Sequence, residues 1–415
     1  MKTQFTLATI GFGGRGKALT KAFLSQNNAV KLIAVVEPRA EIRRKCMEDY
    51  AIAPDMAFTD YDAFFEKGVT ADILIVATMD VLHHDPAVKA MKLGYRNIVL
   101  EKPIAVTLEE CKDIVNTAIA HDVNMAVCHS LRYDPFWTKL KEVIDSGIIG
   151  KIMNIQHVEG AGFMNYVHSF VRGHMRNTEL SAPLIMQKSC HDFDMLVYLT
   201  GKKYKRVSSF GELTYFKEEN APAGSGTMCT VDCQCADTCI YNAYNLYSCR
   251  MDSAYTDAAI REGGYRGLDY ALATTDYGKC VYRCDNNVCD HQVVNIEFDD
   301  NTTGSLTVSG FDSGRRTEIG GTLGRIEANQ WMETIMVENH VTGEITHFKP
   351  DPIDRDLLNH GATDLRLAEN FLNVLQGKQK TITPVVESLE SHLACFATEI
   401  ARSENRIVSL DEVRG

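Results

Sequence analysis

The sequence lacks long apolar runs, since no stretch approaches the roughly 20 residues that a membrane-spanning helix needs. It also lacks an excess of positive charge, because 43 lysines and arginines against 55 aspartates and glutamates give a formal net charge of −12. The one dense basic run, KKYKR at residues 202–206, is more typical of a solvated loop than of a nucleic-acid-binding stripe. These absences predict a protein that binds neither membranes nor nucleic acids.

The N-terminal segment MKTQFTLATIGFGG has neither the apolar stretch nor the small-residue cleavage site of a secretory signal peptide, so we expect a cytoplasmic protein. Its 415 residues predict two or three domains. Thirteen cysteines without a secretory signal are expected to be thiols, metal ligands or buried small side chains rather than a disulfide framework. Five of them lie among apolar neighbours and are expected in the core: Cys46, Cys111, Cys128, Cys190 and Cys395.

The first 127 residues alternate short apolar runs with stretches of helical spacing. The runs are FTLATI, VKLIAVV, ADILIVAT, RNIVL and VNMAV. Their continuous hydrophobicity is typical of strands buried on both faces of a parallel sheet. The alternation predicts an α/β fold with a doubly wound parallel sheet in a domain covering residues 1–127.

Residues 128–415 have a different pattern and form the predicted second domain, an α+β unit. Its β-like runs are KIMNIQHVEG, KRVSSFGELTYF, KCVYRC, HQVVNIEF, GSLTVSGF and ETIMVEN. Most follow one another without an intervening helix, which favours a mainly antiparallel sheet. We expect one helix through MQKSCHDFDMLVYLTG, two amphipathic helices closing the chain, and a cysteine-rich loop insertion at about 215–250.

A glycine-rich turn lies between the first predicted strand and the first predicted helix, the context in which G-x-G-x-x-G binds a dinucleotide. It consists of Gly11, Phe12, Gly13, Gly14, Arg15 and Gly16. Glu37 ends the next strand, where a carboxylate accepts hydrogen bonds from a ribose diol and repels a 2′-phosphate, so NAD is favoured over NADP. Arg39 leaves three roles open: recognition of a 2′-phosphate, stacking on adenine, or exposure to solvent.

Several motifs resemble those of the Gfo/Idh/MocA oxidoreductases. VLEKP at residues 99–103 is similar to the EKP motif of that family, and HSLRYDP at 129–135 to its N-x-R-F/Y-x-P stretch. ATMDVLH at 77–83 is similar to T-P-N-x-x-H, with Met79 and Asp80 departing from it. The closing helix, SLESHLACFATEIARSENRIVSLDE, also resembles the C-terminal helix of the family, so the resemblance spans nearly the whole chain.

The resemblance implies a Rossmann domain followed by a domain whose open sheet covers the nicotinamide, and hydride transfer between a pyranose carbinol and NAD(P). It implies that Lys102 lies between nicotinamide and substrate, that Glu101 lies near the nicotinamide ribose, and that Thr78 and His83 line the cofactor groove. The chemistry agrees, because a hydride leaves an alcohol carbon only as the hydroxyl proton is withdrawn. Alternatively, Lys102 only pairs with Glu101 at the surface.

The predicted second-domain helix carries a polar set: Gln187, Lys188, His191, Asp192 and Asp194. The family commonly has Asp-x-x-x-His-x-x-Asp here, with the histidine as acid or base; this chain keeps His191 and Asp194 but has Gln187 at the first position. Residues three and four apart share a helix face, so we expect Lys188, His191 and Asp192 to meet in one substrate pocket. A structural histidine is the alternative.

The polar stretch HSFVRGHMR at residues 168–176 resembles a carbohydrate-active branch of the family that cleaves glycosides through a transient ketone. Acid and base groups for such a site would be His168, Lys188, His191 and Tyr133, with Arg172 or Arg176 binding the sugar; a solvated loop is the alternative. We therefore carry two hypotheses, a net sugar dehydrogenase and a hydrolase that recycles NAD, with a non-catalytic NAD sensor as a third. The open sheet also makes a homo-oligomer plausible.

The insertion concentrates four cysteines as C-x3-C-x-C-x3-C: Cys229, Cys233, Cys235 and Cys239. Four thiolates are a common set for a structural zinc ion, although this spacing lacks the usual C-x2-C pair. Reduced thiols and a disulfide are the alternatives.

Overall fold

The computed structural model describes residues 4–27, 29–352 and 361–415. Its first sheet has six parallel strands in the order β3-β2-β1-β4-β5-β6, so the predicted doubly wound sheet is confirmed. The strands are β1 (Phe5–Ile10), β2 (Val30–Val36), β3 (Ala57–Phe58), β4 (Ile73–Val76), β5 (Asn97–Leu100) and β6 (Asn124–Val127). The helices between them are α1 (Gly14–Leu24), α2 (Ala40–Tyr50), α3 (Tyr61–Glu66), α4 (His84–Lys92) and α5 (Leu108–Ala120).

Strand β4 shows why the apolar runs of this sheet are continuous. Leu74 and Val76 belong to the apolar core on one face, while Ile73 and Ile75 belong to the core on the other. All four side chains are fully buried. The polar loops that follow β1, β2, β4 and β5 therefore gather at the carboxyl edge of the sheet, where open α/β sheets bind ligands.

The second sheet is mixed and mainly antiparallel, in the order β14-β13-β12-β11-β7-β10-β9-β8-β15. Only the central β7 and β10 pair in parallel. Its strands are β7 (Ile152–Ala161), β8 (Tyr204–Glu212), β9 (His291–Phe298), β10 (Thr303–Ser309), β11 (Ser313–Gly321), β12 (Gly324–Asn329), β13 (Thr334–Asn339), β14 (Ile345–Phe348) and β15 (Val408–Ser409). The predicted α/β fold with an open, mainly antiparallel second sheet is confirmed.

The remaining helices follow β6 in the chain, and no described helix is long and apolar enough to cross a bilayer. They are α6 (Pro135–Asp145), α7 (Phe163–Asn165), α8 (Leu184–Gln187), α9 (Cys190–Thr200), α10 (Ala243–Ser248), α11 (Ala254–Glu262), α12 (Leu268–Thr274), α13 (Gly361–Leu375), α14 (Val385–Glu404) and α15 (Asp411–Arg414). Helix α14 touches the loop after β5, where His392 Nε2 accepts a hydrogen bond from the backbone N–H of Ile104 at 2.9 Å.

Two predicted elements differ in the structure. The single helix predicted through residues 186–201 is divided into α8 and α9 at Lys188 and Ser189. Lys188 therefore does not share a continuous helix face with His191. The run KCVYRC is not a strand: Lys279 makes one isolated bridge with Met228 and the chain then turns, because burial of Val281 and Tyr282 in the core produced the apolar pattern.

The insertion is longer and more ordered than the predicted loop at 215–250. It runs from the end of β8 to the start of β9 and carries α10, α11 and α12. Side chains cap two of these helices, since Asn242 accepts from Asn245 N at 3.0 Å and Ser253 accepts from Thr256 N at 3.3 Å. The cysteine-rich part at 229–239 has no regular structure of its own.

Candidate active site

The glycine turn leaves an open cradle at the N-terminus of α1. Gly11 has φ +87°, and a side chain there would lie 2.5 Å from Ala77 O; one at Gly16 would lie 1.9 Å from Gly11 O. These two glycines are required by the fold itself. Gly13 and Gly14 are different, because the nearest atoms to a Cβ there are Nη2 of Arg39 at 3.5 Å and Nη2 of Arg261 at 4.0 Å.

The Gly13–Gly14 cradle fits a dinucleotide phosphate. No side chain caps α1 and its first turn has no acidic residue, so its free N–H groups and positive dipole end face this space. A bound dinucleotide would be held here by the backbone of residues 11–16. No side chain in the turn competes for the position, since Phe12 is buried in the apolar core.

Glu37 follows β2 at the predicted ribose position and is fully buried. Its carboxylate accepts hydrogen bonds from the N–H of Phe12 at 3.2 Å and from Nε and Nη2 of Arg39 at 2.7 and 3.0 Å. The sequence left three roles open for Arg39. The structure shows a contact that is none of these, an ion pair with Glu37. The Arg39 side chain is half exposed.

The segments after β4 and β5 are tied together through His83. Its Nδ1 lies 2.7 Å from the carbonyl oxygen of Pro103, and its Nε2 lies 3.3 Å from that of Thr78. Burial lowers the pKa of His83, so the ring is neutral near pH 7 and its single N–H serves the shorter contact. His83 thus positions the loop that carries Lys102 rather than pointing a charge at a ligand.

Arg15 fixes the side chain of Glu101 from the glycine turn. Its Nε donates to Glu101 at 2.7 Å, and its two Nη atoms donate to Asp364 of α13 at 2.8 and 2.9 Å. Burial acts to raise the pKa of Glu101, but Arg15 and Lys102 outweigh this effect and keep its pKa below the usual value. Glu101 is therefore a carboxylate, with an oxygen also accepting from the N–H of Lys102.

Lys102 reaches across to the second part of the chain. Its Nζ donates to both the backbone oxygen and the Oε1 of Gln187, at 2.6 and 2.7 Å. The alternative in which Lys102 pairs with Glu101 at the surface does not describe this geometry, since these contacts are part-buried and lie with Gln187. An ammonium has three donors, so two are used by Gln187 and one remains for a substrate oxygen.

Asp80 explains why Gln187 stands where the family has an aspartate. Its Oδ2 accepts from Nε2 of Gln187 at 2.6 Å and from Oγ of Ser181 at 2.6 Å. Two of the positions that depart from the family pattern, Asp80 and Gln187, are thus in direct contact. Lys102 contacts the Gln187 amide rather than a carboxylate, and Asp80 orients this amide so that its oxygen faces the lysine.

His174 is a site residue that the sequence reasoning named only within a polar stretch. It is exposed to solvent, yet burial among surrounding atoms lowers its pKa, with Asp80 acting in the opposite direction and Lys102 in the same direction. The alternation of histidine and arginine in HSFVRGHMR was the available signal for this residue.

His191 belongs to a cluster of three imidazoles at the start of α9. Its ring lies 5.5 Å from that of His129, which lies 5.7 Å from that of His392. Burial lowers the pKa of His129 and brings that of His392 to about 3. Both nitrogens of His129 are buried without a hydrogen-bond partner among the described atoms, so the rings of His129 and His392 are neutral near pH 7.

Lys188 and Asp192 belong to a buried charge cluster of the second sheet. Lys188 Nζ pairs with Glu159 at 3.0 Å, and Arg315 Nε lies 2.7 Å from both Glu159 and Asp192. His157 is 3.1 Å from Asp192. Burial acts to raise the pKa of Asp192, but Arg315 and His157 outweigh it and lower this pKa, whereas burial keeps that of Glu159 raised.

Four predicted site residues make structural contacts. Tyr133 OH contacts Thr383 Oγ1 at 3.1 Å, and burial raises its pKa. His168 stacks on Tyr277 with ring centroids 4.5 Å apart, and burial lowers its pKa to about 3. Arg172 and Arg176 both contact the insertion. Arg172 donates to the carbonyl oxygens of Lys279 and Tyr241, and Arg176 forms ion pairs with Asp276 and Asp285.

The cysteines of the insertion surround a cavity of about 10 Å³ that is lined by Cys229, Cys233, Cys235, Cys239 and Cys280. The Sγ atoms of Cys233 and Cys235 are 3.6 Å apart. Within residues 4–27, 29–352 and 361–415, no group of three or more His, Cys, Asp or Glu side chains has the arrangement of a metal site. This arrangement therefore does not fit a bound zinc ion, and we derive no step through a metal.

Comparison with known proteins agrees with this geometry. A family profile described as "Oxidoreductase family, NAD-binding Rossmann fold" matches residues 5–129, and one described as "GFO/IDH/MocA C-terminal domain" matches residues 137–327. The chain belongs to the Gfo/Idh/MocA oxidoreductase family. The resemblance drawn from the motifs at residues 77–83, 99–103 and 129–135 and from the closing helix is confirmed.

Relatives include enzymes of sugar and inositol chemistry. YteT of Bacillus subtilis (strain 168) is 25% identical over 325 residues, which cover 76% of this chain and 74% of YteT. The scyllo-inositol 2-dehydrogenase (NAD(+)) of that strain is 28% identical over 51% of this chain and 59% of the relative. The 2,7-anhydro-N-acetylneuraminate hydratase of Mediterraneibacter gnavus is 26% identical over 49% of this chain and 51% of the relative. For these last two, the chain spans little more than half the length of the relative.

A solved structure shares the whole architecture. The oxidoreductase of Agrobacterium radiobacter, solved in complex with NAD+, L-tartaric acid and magnesium, superimposes with a TM-score of 0.71 over 99% of both chains. The two sequences are 14% identical, so this likeness concerns the fold. Together with the family, it supports an NAD-binding oxidoreductase.

Proposed function

We propose that the protein is an NAD-dependent oxidoreductase that acts on a sugar or glycoside by hydride transfer at C3. The observation that carries the proposal is the position of Lys102, which joins the carboxyl edge of the first sheet to Gln187 at 2.6 and 2.7 Å. The proposal assigns residues 1–127 to cofactor binding and residues 128–415 to substrate binding.

In this proposal a bound NAD+ supplies the acceptor for a hydride from a carbinol carbon. We propose His191 as the base that accepts the hydroxyl proton, while Lys102 directs its remaining N–H at the carbinol oxygen and stabilises the negative charge that develops there. Gln187 and Asp80 hold the ammonium in place. Glu101, which Arg15 keeps ionised, would accept a hydrogen bond from the nicotinamide ribose.

The proposed cofactor residues are those that line the carboxyl edge of the first sheet: Gly11, Phe12, Gly13, Gly14, Arg15, Gly16, Glu37, Arg39, Thr78, His83, Glu101 and Lys102. The buried carboxylate of Glu37 supports NAD over NADP, because it would lie against a 2′-phosphate. Arg39 neutralises that carboxylate in part, so it must turn away when the ribose diol binds.

The alternative function is a hydrolase that recycles NAD. In that reaction the sugar is oxidised to the C3 ketone, a base removes the C2 proton, and the C1–O bond breaks as the aglycone leaves with a proton. Water then adds its hydroxyl to C1 and its proton to C2, and the ketone is reduced again. One observation favours this alternative, the similarity of the chain to a hydratase.

A p-nitrophenyl glycoside distinguishes the two reactions. Nitrophenol release with no accumulation of NADH supports the hydrolase. Accumulation of NADH in proportion to the oxidised sugar, with the glycoside intact, supports the dehydrogenase. If neither product forms with any of a panel of hexosides in both anomeric forms, the proposed substrate class is wrong.

We also propose that the protein forms a homo-oligomer through the open sheet. Three large apolar side chains on the described strands of this sheet are exposed, Met153 by 49%, Phe210 by 65% and Ile345 by 53%, and contact between two copies would remove apolar surface of this kind from water. A single monomeric species in sedimentation at micromolar concentration would contradict this. A cytoplasmic location remains a prediction from the sequence.

A further inference from the structure

The insertion of the second sheet reaches the glycine turn of the first. Arg261, in the last turn of α11, has its Nη2 4.0 Å from the position of a Cβ on Gly14. Its Nη1 donates to Asp257 at 3.2 Å within the same helix. The Arg261 side chain is 22% exposed, so it lies partly enclosed between the insertion and the N-terminus of α1.

The end of α11 also lies near the ribose side of the turn. The pKa of Arg39 is raised first by its hydrogen bonds to Glu37, and the charges of Glu262 and Tyr265 raise it further. Arg39 Nη2 in turn lies 3.5 Å from a Cβ position on Gly13. The end of α11 therefore lies close enough to act on Arg39, and Arg261 itself approaches Gly14.

Three guanidinium groups surround this cradle, and their partners differ. Arg15 is held by buried Glu101 and Asp364, and Arg39 by buried Glu37. Arg261 has Asp257 as its partner, and that carboxylate is 65% exposed. Exposed ion pairs contribute little, so Arg261 is, of these three guanidinium groups, the one most readily available to bind an anion.

The helix that presents Arg261 is packed rather than loose. Gly263, directly after α11, is buried, and a side chain there would lie 2.8 Å from Ala271 Cβ of α12. Arg176, which lies outside the insertion, anchors the far end of the insertion through ion pairs with Asp276 and Asp285. A packed support holds a side chain in place at low entropic cost, which favours binding.

We propose that Arg261 binds the pyrophosphate of the dinucleotide from the side opposite α1, so that the insertion clasps the cofactor against the glycine turn. This inference rests on the proposed NAD site and adds to it a residue from the other sheet. A guanidinium matches phosphate oxygens with paired donors. A cofactor held from both sheets leaves slowly, as a reaction that returns the hydride to the same sugar requires.

The test compares Arg261→Gln with Arg266→Gln, which removes the same charge from an exposed site where the guanidinium stacks on Tyr270. Binding of NAD+, ADP-ribose and adenosine is measured by calorimetry on protein stripped of nucleotide. We expect Arg261→Gln to weaken NAD+ and ADP-ribose about 10- to 100-fold and to speed NADH dissociation in stopped-flow fluorescence. Adenosine, which lacks phosphates, should bind unchanged, and Arg266→Gln should match the wild type.

Each outcome decides a different statement. If the wild type binds NAD+ and Arg261→Gln binds it equally well with the same dissociation rate, the clasp is wrong and the proposed function stands. An equal loss for ADP-ribose and adenosine also contradicts contact with the pyrophosphate. If the wild type binds no dinucleotide, the proposed function fails as well. Should Arg261→Gln lack the native circular dichroism spectrum, Arg261→Lys takes its place and is expected to weaken NAD+ but not adenosine.

Discussion

The carboxyl edge of the first sheet and the buried charge cluster of the second sheet are built in opposite ways. At the first edge, groups near in sequence act together: the glycines of one turn, and Glu101 with Lys102. In the second sheet, Glu159, Asp192 and Arg315 come from three separate elements and meet within 2.7 Å. The first arrangement leaves room for a ligand, whereas in the second each charge has a protein partner. We infer that the edge of the first sheet carries out the reaction and that the buried charge cluster stabilises the second sheet.

Removing Lys102 should produce the largest effect on activity. Lys102→Met deletes the cation that meets the substrate oxygen, so we expect turnover to fall about 10²- to 10⁴-fold while the affinity for NAD+ stays within a few-fold. Turnover of the purified variant on an accepted substrate provides the measurement. The exposed Lys92→Met serves as the control, and unchanged turnover in Lys102→Met would revive the non-catalytic sensor.

Breaking the buried cluster should instead cost stability. Glu159→Gln leaves Lys188 without its charge partner and Arg315 with Asp192 alone, and the loss of one member of a buried pair costs about 3–5 kcal/mol. Urea denaturation of this variant is compared with Glu48→Gln, whose pair with Arg44 is exposed on both sides and should cost less than about 0.5 kcal/mol. Equal losses in the two variants would show that the cluster does not support the sheet.

The hydrogen bond between Asp80 and Gln187 joins the segment after β4 to α8. Exchanging the side-chain types of these two residues tests whether Asp80 positions Gln187. Gln187→Asp alone places a second carboxylate against Asp80 and should lower both stability and turnover. The double variant Asp80→Asn with Gln187→Asp restores one carboxylate to the pair. We expect a coupling free energy of about 1–3 kcal/mol in a double-mutant cycle. Additive effects would mean that Asp80 does not position Gln187.

Buried neutral histidines predict a loss of stability at low pH. Burial brings the pKa values of His168 and His392 to about 3, below the usual value near 6.5. Between these values the unfolded chain binds more protons than the folded one, so the free energy of unfolding falls as the pH falls below 6.5. Each histidine contributes up to about 1.4 kcal/mol per pH unit. Urea denaturation from pH 7 to 5 measures this, and an equally steep fall in His168→Phe would contradict the role of His168.

Much of the first sheet could be predicted from the sequence because its signals are local. Continuous apolar runs predicted strands buried on both faces, and the spacing from Gly16 to Glu37 placed the carboxylate beside the turn. The second part was predicted less well because its contacts are distant in sequence. The contact between Lys102 and Gln187, the break at Lys188 and the approach of Arg261 to Gly14 depend on how the sheets pack, which no local pattern encodes.

Binding of NAD+ to wild-type protein and to Gly13→Val tests the central claim most directly. A side chain at Gly13 has room within the protein, since the nearest atom to its Cβ is Arg39 Nη2 at 3.5 Å, so it should obstruct only the dinucleotide. We predict that stripped wild-type protein binds about one NAD+ per chain, and that Gly13→Val unfolds at a similar urea concentration but binds NAD+ at least about tenfold more weakly. A wild-type protein with no affinity for NAD+ or NADH would contradict the account.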